Sequence, residues 1–139
     1  MAKPKVLIVD DTPLNISILV NTLEEEYELS AAVDGPGALK AVETEIPDIV
    51  LLDIMMPEMD GYEVCRRLKG EERTRDVPVI FITAMNDAES ESKGRELGAV
   101  DYITKPFSPT VVKKRIESHI RFQRSRRELE RRNAVLRDR

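Results

Sequence analysis

A chain of 139 residues, 41% hydrophobic, suits one domain with a real core, and no stretch approaches the ~20 apolar residues that would span a bilayer. One cysteine, Cys65, excludes an internal disulfide, and Met1-Ala-Lys-Pro-Lys5 runs straight into an apolar run rather than a signal peptide; a reducing, cytoplasmic setting is expected. The net charge of −4 is split: residues 121–139 carry eight Arg against Glu128, Glu130 and Asp138, a local +5, which leaves −9 on residues 1–120 and argues against a main body that binds nucleic acid electrostatically.

In chain order, the first strand-length apolar run covers residues 5–10 and closes on Asp10-Asp11. Thr12-Pro13 then opens a helix over 13–25, with proline at the first helical position, Leu14, Ile18 and Leu19 on one stripe, and Glu24-Glu-Glu26 at its end. A second run, 27–33, precedes Gly35-Pro36 and a helix over 36–45 carrying Ala38, Leu39 and Val42. The third run, 48–53, ends on Asp53. Asp60-Gly61 supplies a turn, with Gly61 free to adopt positive φ, before a helix over 62–70 that sets Tyr62, Cys65 and Leu68 against Arg66-Arg67 and Lys69. The lone Cys65 reads as a half-buried helix residue, since nothing beside it in sequence would activate a thiol.

A fourth run covers 77–82. Asn86 with Glu89 three residues on resembles a capping box at the start of a helix over about 87–97. That helix is the weakest of the set, with Gly94 inside it and little apolar stripe, and Gly98 follows Leu97 as its stop. The fifth run, 100–104, leads through Ser108-Pro109 into a last helix without a breaker to about Arg137, near 40 Å at ~1.5 Å per residue.

Strands alternating with helices imply an α/β fold: one doubly wound domain built on a parallel sheet, with helices on both faces. In such sheets ligands bind at the carboxyl ends of the strands. Asp10, Asp11 and Asp53 fall there. Three carboxylates converging at one edge would repel one another unless a cation joined them, and oxygen clusters of this kind hold hard metals such as Mg2+. Consecutive side chains on a strand point to opposite faces, so Asp11 must already lie in the loop if Asp10 and Asp11 are to serve one ion. A strand-end carboxylate such as Asp53 can also act as a nucleophile toward phosphorus, forming an acyl phosphate.

Four pieces in order, Val9-Asp-Asp11, Leu52-Asp53-Ile-Met-Met-Pro57-Glu-Met-Asp-Gly61, Ile82-Thr83-Ala84 and Tyr102-Ile-Thr-Lys105-Pro106-Phe107, resemble the response-regulator receiver domains of the CheY-like superfamily. The resemblance covers residues 5 to about 120. It implies a flavodoxin-like (βα)5 sheet of strand order 2-1-3-4-5 and a phosphoacceptor, Asp53, served by a sensor histidine kinase or phosphotransfer protein. It further implies Mg2+ held by Asp10, Asp11, Asp53 and the backbone carbonyl of Met55. Lys105, before a cis proline, would neutralise a phosphoryl oxygen, and the Thr83 hydroxyl would donate to one. Thr83 and Tyr102 would form the switch, Tyr102 turning inward when Thr83 moves. Met55 and Met85 stand where the family tunes hydrolysis of the acyl phosphate; neither can orient water, so self-dephosphorylation should be slow. The domain would not be an enzyme in its own right, acting only on its own phosphoryl group.

The extension beyond residue 121 departs from a stand-alone receiver. Domain boundaries are therefore set at 1–120 for the receiver and 121–139 for a basic helical extension or linker toward an output domain. Phe122, Leu129 and Leu136 recur every seven residues, as in a coiled-coil seam, although the companion positions His119, Arg126 and Asn133 are poor ones. A paired signalling helix, with a homodimer, leads over a solvated helix or an arginine-rich nucleic-acid arm. His119, the one histidine, sits in a basic helix with no acidic partner to orient it and reads as a surface or interface residue. Two other classes stand beside the phosphoacceptor: a receiver-shaped interaction module that is never phosphorylated, and an aspartyl phosphohydrolase, which would want a second acid where Met55 stands.

Overall fold

In the computed structural model, which describes residues 2–137 and the side chains of residues 2–134, apolar runs of β-branched residues and leucine become strands. They are β1 (Lys5–Val9), β2 (Glu28–Ala32), β3 (Ile49–Leu52), β4 (Val79–Thr83) and β5 (Asp101–Thr104). Between and after them lie α1 (Pro13–Leu23), α2 (Gly35–Thr44), α3 (Gly61–Gly70), α4 (Ala88–Glu96) and α5 (Pro109–Arg137). All pairings are parallel, in the order β2-β1-β3-β4-β5 expected for the flavodoxin-like doubly wound fold.

The two-residue period of the strands sorts the core into two layers. Val6 and Ile8 point to one face with Ile49, Leu51, Ile80 and Ile82, where α1 and α5 cover them through Leu19, Leu23, Val112 and Ile116. Leu7 and Val9 point to the other with Val50, Leu52 and Phe81, under α2 and α3 through Val42, Tyr62 and Leu68. β3 and β4 are buried along their whole length, which is why they read as continuous apolar runs. Because β1 and β3 are central and end together, Val9 pairs with Leu52 and the residues that follow, Asp10 and Asp53, emerge side by side.

Local details correct four expectations. Of the stripe expected on α1, Leu19 is buried, together with Leu23, whereas Leu14 is 67% exposed and Ile18 is also exposed. The cap of α4 is Asp87, whose carboxylate accepts from the Ser90 N–H at 2.9 Å, in place of Asn86. Gly61 does not use positive φ; Gly98, just past α4, does, at φ 104. Gly61 is instead a matter of space. A Cβ there would collide with the backbone carbonyl of Asp53, and the Gly61 N–H donates to Ile54 O at 2.9 Å. Cys65 is fully buried rather than half-buried, and burial pushes its thiol up to about 11.

Candidate functional site

The site lies where β1, β3 and β5 end. β1 stops at Val9, so Asp10 and Asp11 both stand just past the strand, with Asp11 in the loop as the face argument requires. Asp10 is buried, 3% exposed, and its Oδ1 accepts from the Thr12 N–H at 2.9 Å, which fixes the turn into α1. Asp53, 5% exposed, is held at both ends: its N–H donates to Val9 O at 2.9 Å, and its Oδ1 accepts from the Met55 N–H at 3.1 Å. Asp11 is exposed at the rim. One carboxylate oxygen from each of Asp10, Asp11 and Asp53 lies within 4.8 Å of the others.

Two of these three carboxylates are not left to repel each other. Lys105 Nζ donates to Asp10 Oδ2 at 2.8 Å and to Asp53 Oδ2 at 2.9 Å, reaching in from the end of β5. The Lys105–Pro106 peptide is cis, and the Lys105 N–H donates to Thr83 O at 2.8 Å. Burial works to lower the Lys105 pKa, but the hydrogen bonds to Asp10 and Asp53 outweigh it and the net shift is upward, so the ammonium stays charged. The chain thus supplies one cation of its own to the cluster, which the sequence argument from repulsion did not count.

Thr83 is fully buried at the end of β4, and its Oγ1 accepts from the Met85 N–H at 3.4 Å. Tyr102 is buried beneath α4. Its hydroxyl donates to Met85 O at 2.6 Å, its ring stands edge-on to Phe81 with centroids 6.2 Å apart, and burial pushes its pKa up to about 12. Thr83 and Tyr102 therefore meet through one residue, Met85. The Met85 N–H belongs to the threonine and its carbonyl to the tyrosine. Met55 is exposed at the mouth of the site, beside Met56, Met85 and Asp11.

Two side chains that the sequence reading passed over matter here. Asp101, at the start of β5, is a buried carboxylate that accepts from Arg115 Nη1 at 2.6 Å and lies 3.0 Å from His119 Nε2. His119 accordingly does have an acidic partner, from β5 rather than from its own helix, and the helix period brings Arg115 and His119 to it from α5. Tyr62, read as part of an apolar stripe, sends its hydroxyl to Ser90 O in α4 at 3.0 Å. No signal in sequence marks either partner, because each contact joins separate elements.

A doubly wound parallel sheet whose central strands end in paired carboxylates under a lysine defines a class of site in which an aspartate can be held ready beside a cation. The chain belongs to the family described as the response regulator receiver domain, whose model matches residues 6–117. It is 44% identical over 131 residues to the response regulator PleD of Caulobacter vibrioides, covering 94% of this chain and 29% of that protein. It is 45% identical over 121 residues to a probable cyclic di-GMP phosphodiesterase of Vibrio cholerae, covering 87% of this chain and 27% of that protein. The chain thus spans less than a third of the length of either relative. The crystal structure of the signal receiver domain of a signal transduction histidine kinase from Syntrophus aciditrophicus superposes with a TM-score of 0.78 at 36% identity, covering 84% of this chain and 89% of that one.

Proposed function

We propose that Asp53 accepts a phosphoryl group from a partner histidine kinase or phosphotransfer protein, and that the acyl phosphate switches a dimerisation or output surface. The observation that carries this reading is Lys105 Nζ placed between Asp10 and Asp53 at 2.8 and 2.9 Å, beside a third carboxylate. An ordinary strand-end aspartate needs none of that apparatus.

The donor set is all oxygen, with two buried carboxylates and one at the rim, which fits a hard divalent cation such as Mg2+. Asp10, Asp11 and Asp53, with the backbone carbonyl of Met55, are the groups that would hold it. Once bound, such an ion would neutralise charge on the phosphoryl oxygens. The chain's own residues do the rest. An Asp53 carboxylate oxygen forms the new O–P bond as the P–N bond of a phosphohistidine breaks, the imidazole nitrogen keeping the electron pair. The hydrogen bond from the Met55 N–H and the anchor of the Asp53 N–H on Val9 hold the nucleophile in place. Lys105 places its ammonium where a phosphoryl oxygen arrives, and Thr83 offers its hydroxyl to another. The Thr83–Met85–Tyr102 connection then gives the switch a bistable element to bias.

On this reading residues 1–120 are the receiver and residues 121–139 a basic extension toward an output domain. The domain turns over no separate substrate and works in the cytoplasm. Among the described residues no helix is long and apolar enough to cross a membrane. The test is intact mass after incubation with acetyl phosphate and Mg2+. One phosphoryl adduct is expected on the wild type and none on Asp53→Asn or with a chelator present. A folded wild type that takes no adduct and does not respond to beryllofluoride would favour the unphosphorylated interaction module.

A further inference from the structure

The first turn of α3 is pressed against the backbone of the acceptor residue. Gly61 leaves no room for a Cβ beside Asp53 O, its N–H is bonded to Ile54 O, and Asp60 caps the helix by accepting from the Glu63 N–H at 2.9 Å. The next residue, Tyr62, crosses from this turn to α4. It is 8% exposed, its hydroxyl donates to Ser90 O at 3.0 Å, and Lys93 Nζ stands 4.4 Å above its ring centroid. Its ring meets Phe81 edge-on with centroids 5.7 Å apart, and Phe81 meets Tyr102 in the same manner. Gly94 of α4 rests on this row of rings, where a Cβ would come within 3.0 Å of Phe81 and 3.5 Å of Tyr102. α4 is thus seated on three aromatic rings and tied down by two tyrosine hydroxyls, one at Met85 just before the helix and one at Ser90 within its first turn.

We propose that Tyr62 is a positioning residue that carries the placement of the Asp53 strand end to α4 through its hydroxyl on Ser90, as a second tie beside Tyr102 on Met85. The inference rests on the reading of Asp53 as phosphoacceptor. The two ties start from different places. Tyr102 is anchored in β5 and answers to Thr83; Tyr62 is anchored in the turn packed on Asp53 itself. A shift of the Asp53–Ile54 backbone is passed through Gly61 to Tyr62 and so to the helix, without Thr83. α4 has few apolar contacts of its own, with Ser90 and Gly94 its buried residues, so hydroxyl ties weigh more on it than on its neighbours.

The experiment is hydrogen exchange, read by mass spectrometry on the full chain, comparing wild type, Tyr62→Phe and Tyr102→Phe, each with and without beryllofluoride and Mg2+. Tyr62→Phe keeps the ring and its stack and removes only the hydroxyl, so a residue that merely fills space would leave exchange unmoved. The expected result is exchange ~5-fold faster across residues 88–96 in Tyr62→Phe, the change that one ordinary hydrogen bond carries, with β1 and α1 unaffected. The beryllofluoride response of α4 should fall by at least half, while the acetyl phosphate adduct still forms. Wild-type exchange and response in the α4 of Tyr62→Phe would overturn the inference alone, as would a uniform rise throughout the chain. A wild type with neither adduct nor beryllofluoride response would overturn the acceptor reading and this coupling with it.

Discussion

At the scale of single residues, Lys105 carries more than its place in a strand end suggests. It is the cation through which two buried carboxylates tolerate each other, at 17% side-chain exposure. Removing it leaves Asp10 and Asp53 uncompensated, and breaking a buried pair in this way costs about 3–5 kcal/mol before relaxation. Lys105→Met should therefore lower the unfolding free energy, read from denaturant melts in chelator, by about 2–4 kcal/mol. Mg2+ should restore more stability to the variant than it adds to the wild type, which titrating Mg2+ during thermal melts would read. Gly61→Ala makes a second residue-scale prediction. Its methyl group has to displace the carbonyl of Asp53, so a loss of about 1–3 kcal/mol is expected. Acetyl phosphate labelling of Asp53 should slow as well, and a normal labelling rate in a destabilised Gly61→Ala would show that the turn does not position the acceptor.

At the scale of elements, α5 is fixed to the sheet by apolar residues on one side and by Asp101 on the other. Burial alone would raise the Asp101 pKa, but the hydrogen bonds from His119 and Arg115 outweigh it, and the carboxyl is held below its ordinary value of 3.8. A carboxylate with a depressed folded value contributes stability that is fully present above the unfolded value and is lost as pH falls through the folded one. Asp101→Asn should therefore be less stable than wild type at neutral pH, by about 1–3 kcal/mol. The gap should close as pH falls below 3.8, because the wild type then loses the same bonds. Urea midpoints at several pH values decide it: a gap that stays constant into acid would mean that the Asp101 charge contributes nothing. The same ion cluster reaches α4 through Arg95, whose Nη2 lies 4.0 Å from Asp101 Oδ1, so α4 and α5 share an anchor at the base of β5.

At the scale of the whole molecule, the core ends at Ile120, which is the last buried residue of α5 among the described residues. Beyond it, among the described residues, the polar ties of the helix to the body are Gln123 Nε2 on Asp76 O at 3.1 Å, Arg126 on Asp76 at 3.6 Å and Arg127 on Asp48 at 3.9 Å. Exposed pairs of this kind are worth about 0–1 kcal/mol each. Deleting 121–139 should thus cost about 1–2 kcal/mol and leave Asp53 labelling intact; loss of the fold would place the domain boundary later. Phe122 and Leu129 are 67% and 58% exposed, and the side chain of Leu136 lies outside the described residues. The companion positions His119 and Arg126 are turned onto Asp101 and Asp76 of the same chain, which narrows any seam to the Phe122–Leu129 line. Phe122→Glu with Leu129→Glu should abolish self-association of the beryllofluoride-treated chain in sedimentation velocity, while a dimer that survives would point to another face.

The sequence by itself determined the alternation of strands and helices and their places within a few residues. Strands buried on both faces have to be apolar throughout, and proline and glycine mark helix ends by steric rules that act locally. It also determined that Asp10, Asp11 and Asp53 share one edge of the sheet, since each follows a central strand. What only the tertiary structure decided were meetings across elements. Lys105 joins Asp10 and Asp53 from 95 and 52 residues away, Asp101 finds Arg115 and His119, and Tyr62 reaches Ser90. On α1 the packing likewise decided that Leu23 is buried beside Leu19 while Leu14 and Ile18 stay exposed, which periodicity alone did not separate. The reason for Gly61 was hidden in the same way, because the atom that excludes a side chain there is the backbone carbonyl of Asp53, eight residues earlier in the chain and adjacent only after folding.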